Sequence, residues 1–372
     1  MSRSGNCVAY PPLPIRAPAR HCPPACQGEP VKKARIAIVG LGMAVTPHAK
    51  GLLDLADEVE VAAAFSPSPA RRAGFAARFP FPLVDSLDAI LADGTIDAVA
   101  VFTPANTHRD IGLACAAAGK HVLMEKPVDV TTARAAELVA GCREAGVRLG
   151  IVLQHRFRPA GMRLAALLAE GALGAILGCS TTIRLWRPQS YYDEPGRGTL
   201  ARDGGGVLMS QGIHTLDLML SLAGPVAEIT GYVTTTPVHR METEDMVVAA
   251  ARYASGALGV IEATTAAYPG FAEEIALTCE KGTALLRGSG LLVQWQDGRR
   301  EGVEPDQSAG GTGADPMDFP HDYHRAVMAD FVAAIREGRD PEVTGEEALK
   351  VQRLIDALVA TGRTGAPVKV AE

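Results

Sequence analysis

Aromatic side chains make up only 5% of this 372-residue chain, and there is no surplus of positive charge: 36 Lys and Arg stand against 42 Asp and Glu, 36 − 42 = −6. A basic footprint that could neutralise a phosphate backbone is therefore missing from the chain as a whole, and nucleic acid is excluded as the expected partner. Long apolar runs are missing too. None reaches the ~18–20 residues needed to span a bilayer, because Gly, Lys or Asp interrupts each of the longest, so a soluble protein without a membrane partner is expected. Metal-ligand spacing is scarce as well. Of the seven cysteines, Cys115, Cys142, Cys179 and Cys279 stand singly in periodic segments, as buried thiols do. Cys22 and Cys26, beside His21, have no second ligand pair downstream. No metal is expected, and a reducing cytoplasm suits this cysteine usage.

What remains is the composition of a globular protein, 47% hydrophobic and 21% charged, long enough for two domains. Residues 1–30 stand apart, with seven prolines, three cysteines and neither helical nor strand period. They also lack the apolar centre of a secretory signal. They read either as a disordered tail or as an extension upstream of a natural start near Val31.

From Lys33 the pattern alternates. Short apolar runs at Arg35–Gly40, Val59–Phe65, Asp97–Phe102, His121–Met124 and Arg148–Leu153 predict buried strands, with helical stretches of about a dozen residues between them. That alternation predicts an α/β domain over 31–153 with a doubly wound parallel sheet. Beyond a helix at Gly161–Glu170, segments rich in β-branched residues follow one another with few helices between: Gly178–Trp186, Ala227–Thr236, Asp245–Tyr253, Ala257–Thr265, Phe271–Cys279 and Thr283–Arg287. They predict an α+β domain over 154–372 with a large, mostly antiparallel open sheet. One helix, Val207–Leu222, interrupts it, Gly302–Pro316 reads as a loop, and helices at His321–Arg336 and Gly345–Thr361 close the chain.

The turn after the first strand reads Gly40-Leu-Gly42-Met43-Ala44-Val45. Glycines there let a backbone approach a pyrophosphate, whose charge a helix N-terminus favours. At the end of the second strand an acidic residue would select NAD. Instead the sequence is Phe65-Ser66-Pro-Ser68-Pro-Ala-Arg71-Arg72, whose hydroxyls and guanidiniums suit a 2′-phosphate. NADP is therefore expected over NAD. At the same crevice edge Thr103-Pro104-Ala-Asn106-Thr-His108 caps the third strand, and reads either as the floor of the nicotinamide site or only as a helix cap ahead of His108.

Glu125-Lys126-Pro127 follows the fourth strand directly, so Lys126 belongs at the carboxyl ends of the strands, where ligands of open sheets bind. Further on, Gly204-Gly-Gly206 leads into a helix whose Ser210, His214 and Asp217 fall on one face, next to Gln211. Histidine is the side chain best suited to proton transfer near neutral pH. Other polar groups lie in segments expected around the crevice: Gln154-His155-Arg156, Trp186-Arg-Pro-Gln189, Tyr191-Tyr192, Arg197 and His321. Of these, Arg156, Trp186, Tyr192, Arg197 and His321, with Ser210, Gln211 and Asp217, are the candidate substrate contacts. Arg156 and Arg197 read equally as structural ion pairs.

The glycine loop, the Thr-Pro-x-Asn-Thr-His segment, Glu-Lys-Pro and the Gly-x-His-x-x-Asp helix, in this order and over about residues 33–369, resemble the Gfo/Idh/MocA oxidoreductases. The resemblance implies a Rossmann-type first domain and a catalytic pair of Lys126 and His214 beside the nicotinamide, with Glu125 among the dinucleotide contacts. It further implies a sugar or polyol as substrate, and homodimers or homotetramers formed through the second sheet. Many members carry Asp or Asn where this chain has Ser210. Two other functions share the fold, an NAD-dependent glycosidase that oxidises its sugar transiently and a non-catalytic dinucleotide-sensing regulator.

Overall fold

The computed structural model describes residues 32–305 and 320–371. The expectations for residues 1–30, and most of the loop expected at 302–316, lie outside them. Among the described residues the first half builds a parallel sheet of β1 (Ala34–Val39), β2 (Val59–Phe65), β3 (Ala98–Val101), β4 (His121–Met124) and β5 (Leu149–Ile151), in the order β2-β1-β3-β4-β5. The crossovers are α1 (Val45–Asp54), α2 (Pro69–Ala76), α3 (Leu87–Ala92), α4 (His108–Ala117) and α5 (Thr132–Glu144). Strands β3 and β5, and β4 after its half-buried first residue His121, are apolar and buried, as a sheet covered on both faces requires. Strand order reverses between β1 and β3, so the crevice opens at their carboxyl ends.

After α6 (Pro159–Ala169) come β6 (Ile176–Arg184), the single-turn helices α7 (Gln189–Tyr192) and α8 (Leu200–Asp203), and α9 (Ile213–Ala223). Then follow β7 (Val226–Thr234), β8 (Met246–Tyr253), β9 (Leu258–Thr264), β10 (Glu274–Cys279), β11 (Gly282–Arg287), β12 (Gly290–Trp295) and β13 (Arg300–Val303). Helices α10 (Asp322–Glu337) and α11 (Gly345–Thr364) and strand β14 (Val368–Lys369) complete the described chain. The nine strands run β13-β12-β11-β10-β6-β9-β8-β7-β14. Pairing is antiparallel except between β6 and β9. Helices α6, α9 and α11 pack on one face. The other face stays exposed at Tyr232, Val248, Leu258 and Val260.

Three features differ from expectation, one of them the short edge strand β14 paired with β7. The helix expected from Val207 begins with a π turn, Leu208–Gly212, before α9. The hairpin β12–β13 extends the sheet beyond the last expected strand, its turns marked by Gly288 and Gly298, both at positive φ. Among the described residues no helix is long and apolar enough to cross a membrane.

Candidate functional site

The cleft has a volume of about 770 Å³ and opens at the carboxyl ends of β1 and β3. Gly40, Gly42, Met43, Ala44, Ser66 and Arg71 line one part of it, and Thr103, Pro104, Glu125 and Lys126 the middle. Gly40 has φ +101°, and a Cβ there would lie 2.6 Å from the Phe102 carbonyl carbon, so only glycine lets β1 turn this close to β3. A Cβ on Gly42 would meet nothing within 4 Å. Helix α1 starts at Ala44 without a side-chain cap. A bare helix N-terminus beside an unobstructed glycine fits the pyrophosphate of a dinucleotide.

Several residues expected at the cofactor are otherwise engaged. Ser68 caps α2, accepting from the Arg71 N–H at 3.3 Å. Arg72 turns away to the Ser66 carbonyl (2.7 Å) and to Asp85. Asn106 points to solvent, and its carbonyl accepts from Arg134. His108 is fully buried behind the crevice, its two ring nitrogens each 2.9 Å from a carbonyl, Pro127 and Thr103. These four shape the loops without lining the cleft.

At the cleft floor Glu125 Oε1 lies 2.7 Å from His48 Nε2, and Oε2 accepts the Lys126 backbone N–H. Burial alone would raise the Glu125 pKa, but the His48 hydrogen bond and charge outweigh it and hold the carboxyl well below the usual range. His48 stacks on Phe102 at 3.9 Å and meets the His324 ring edge-on. Donor atoms of His48, Glu125 and His324 all lie within 4.8 Å. That spacing would admit a cation, although His48 and Glu125 already hydrogen-bond each other.

Lys126 Nζ donates to the Ser210 carbonyl at 2.6 Å. Ser210 lies inside the π turn, a departure from α geometry that recurs at functional sites, and His214 follows one turn later. Lys126, Ser210, Gln211 and His214 therefore face one cleft. His214 Nδ1 and Gln211 Oε1 are buried without a hydrogen-bond partner among the described residues. Burial and the nearby Lys126 charge push the His214 pKa well below the imidazole range, leaving it neutral at pH 7. Burial also lowers Lys126, against the opposing pull of Glu125.

The substrate lobe departs from expectation by a residue or two. Arg156 and Asp217 do not reach the cleft. They form a bidentate pair at 2.8 and 2.6 Å, with Glu347 also on Arg156, and Arg158 lines the cleft instead. Trp186 packs edge-on against Tyr268 while Arg187 lines the cleft. Tyr192 turns inward to Thr265, while Tyr191, under the Arg197 guanidinium at 4.0 Å, faces the cleft. His321 pairs with Asp54 outside it. Gln154, His155, Glu273, Tyr323 and His324 complete the wall. Of these, Glu273 and His324 carried no motif, and only the topology brings them in.

Family models match over two stretches: residues 34–152 fit the oxidoreductase family with an NAD-binding Rossmann fold, and residues 162–285 the GFO/IDH/MocA C-terminal domain. The D-xylose 1-dehydrogenase (NADP(+)) 2 of Haloferax volcanii is 30% identical, over 85% of this chain and 93% of its own. The inositol 2-dehydrogenase of Rhizobium meliloti is 27% identical, over 87% and 96%. Among solved structures, the WlbA dehydrogenase of Bordetella pertussis, in complex with NADH and UDP-GlcNAcA, superposes with a TM-score of 0.79 at 28% identity, covering 93% of this chain and all of that one.

Proposed function

The chain belongs to the Gfo/Idh/MocA family of oxidoreductases that act with a nicotinamide dinucleotide, and on that premise we propose that Lys126 and His214 interconvert a secondary alcohol of a sugar or polyol and its carbonyl. The carrying observation is the Lys126 ammonium docked on the Ser210 carbonyl, one turn before His214, in the cleft that the glycine turn enters. When bound, the dinucleotide supplies the two-electron acceptor. Neutral His214 takes the hydroxyl proton, and Lys126 hydrogen-bonds the same oxygen and steadies its developing charge. Gln211 Oε1 is free to accept from a second hydroxyl. In this reading residues 31–153 hold the dinucleotide, and residues 154–372 the substrate. The test is an absorbance assay of the reduced nicotinamide across free sugars, polyols, sugar acids and nucleotide sugars, with NAD and with NADP. No turnover with any pair would refute the assignment.

NADP is the dinucleotide this site favours. Arg71 reaches the cleft beside buried Ser66, and among the described residues no side chain or carbonyl is bonded to its guanidinium. A charge-assisted bond to a 2′-phosphate is worth about 1.5–3 kcal/mol. Arg71→Ala should therefore raise KM for NADP about 10-fold or more and leave KM for NAD alone. Equal changes for both would count against the role.

The exposed face of the second sheet is the proposed interface between copies. Tyr232 and Val248 sit opposite each other, as do Arg252 and Leu258, with Val260 between those rows. Half or more of each of Tyr232, Val248, Leu258 and Val260 is exposed, a contiguous apolar stripe that marks an interaction surface. Val260→Lys should convert a homo-oligomer at micromolar concentration into monomers by light scattering. A monomeric parent protein would end the proposal. A cytoplasmic setting belongs to the same reading, since the four described cysteines are all free and buried.

A further inference from the structure

The six residues from Glu125 to Val130 turn from the end of β4 toward α5 with almost no backbone partners of their own, and side chains, two of them local and two from distant elements, hold them. Glu125 Oε2 accepts the Lys126 N–H, Asp129 Oδ1 accepts the Val130 N–H, and His108 approaches the Pro127 carbonyl. A further pair of bonds comes from Gln352 of α11. Its Oε1 accepts the Val128 N–H at 3.1 Å, and its Nε2 donates to the Asp129 carbonyl at 3.0 Å. One amide thus grips two consecutive residues of the turn, accepting from one and donating to the next.

Gln352 is wholly buried, on a helix face otherwise apolar at Leu349, Val351, Leu354 and Ile355. A buried amide is costly unless both ends are bonded. Here they are bonded two residues beyond Lys126, across 224 positions of sequence. On the same helix, Glu347 reaches Arg156, whose guanidinium holds Asp217, three residues after His214. Helix α11 therefore touches the supports of both groups in the proposed pair.

Resting on the Lys126–His214 reading above, we propose that Gln352 is a positioning residue, which holds the Glu125–Val130 turn so that the Lys126 ammonium stays aimed at the Ser210 carbonyl and the reacting oxygen. Glutamine is suited to this because it accepts and donates at once. Methionine fills the same space and bonds neither backbone group, and glutamate keeps the acceptor but sets a second oxygen against the Asp129 carbonyl.

The test uses the full chain with Gln352→Met and Gln352→Glu, each normalised to the fraction that binds dinucleotide. With a substrate from the panel, kcat should fall about 10–100-fold, the effect of a displacement near 1 Å, while KM stays within about 3-fold. Independently of any substrate, competitive labelling of Lys126 with acetic anhydride across pH, read by peptide mass spectrometry, should show its midpoint moving toward that of an exposed lysine. An unchanged kcat and midpoint, even with a lowered Tm, would overturn the proposal, as would failure of both variants to fold, because Gln352 would then be structural. Lys126→Ala separates the two levels. If that variant keeps full turnover, the catalytic reading fails, yet the labelling midpoint still reports the clamp; if it is inactive while both Gln352 variants match the parent, only the clamp fails.

Discussion

His214→Ala and Lys126→Ala should each lose about 10²–10⁴ in kcat, the usual worth of a positioned acid or base, while dinucleotide affinity stays near that of the parent. The glycine turn and Arg71 lie apart from both side chains in the cleft, which is why binding and turnover should separate. The pH profile of alcohol oxidation carries the same assignment. His214 must be neutral to take a proton, so activity is present above its pKa and lost as pH falls through it. Because burial and Lys126 depress that pKa, the acid limb should lie well below 6.5. Lys126 must be protonated, so activity is lost as pH rises through its pKa, which burial sets below 10.5. In His214→Ala the acid limb should vanish, and in Lys126→Ala the alkaline one. A parent-like profile in either variant would remove the role given to that residue.

Gly206→Ala should be the most damaging glycine-to-alanine change among the described residues. Its Cβ would fall 1.8 Å from the Glu244 carbonyl oxygen, a backbone atom that no rotamer can move. Glu244 wraps this point tightly: its carboxylate accepts the Gly206 and Leu208 N–H groups and its carbonyl the Val207 N–H. The methyl must therefore displace the start of the π turn. Overpacking of this kind costs about 1–3 kcal/mol, which should lower Tm by about 1–4 °C in a chain of this size. Turnover should fall further than stability, because Ser210 and His214 move with the turn. Gly42→Ala is the control, since its Cβ meets nothing. Its Tm should match the parent, and only dinucleotide binding should weaken. Equal Tm values for Gly206→Ala and Gly42→Ala would contradict the packing argument.

Much of the architecture was legible because its signals are local. Short apolar runs mark β1 to β5, the first of them ending at Gly40, and Ser86, Thr131 and Thr344 announce α3, α5 and α11 as N-caps. The β12–β13 hairpin was missed because Leu291, Leu292 and Val293 form an unalternating run that looks no more like a strand than like buried helix. In the site, the centre was legible and the walls were not. Lys126 and His214 are tied to elements whose direction the topology dictates. Arg156, Trp186 and Tyr192 sit in irregular segments, where the polar cluster is visible but the face it shows is not. In each case the cleft-lining residue is a near neighbour: Arg158, Arg187 or Tyr191. Asp217 illustrates the other limit. Helical spacing predicts it on one face with Ser210 and His214, but Ser210 lies in the π turn and buried Asp217 pairs with Arg156 away from the cleft.

The descending path of α11 has a consequence for how the protein comes to life. The lysine turn is fastened by residue 352, and the helix bearing the imidazole is braced through residue 347, so neither support exists while the ribosome is still translating the open sheet. Helix α10 also covers one face of the parallel sheet through Val327, Met328 and Phe331, so a nascent chain should remain chemically idle until both long helices have emerged and docked.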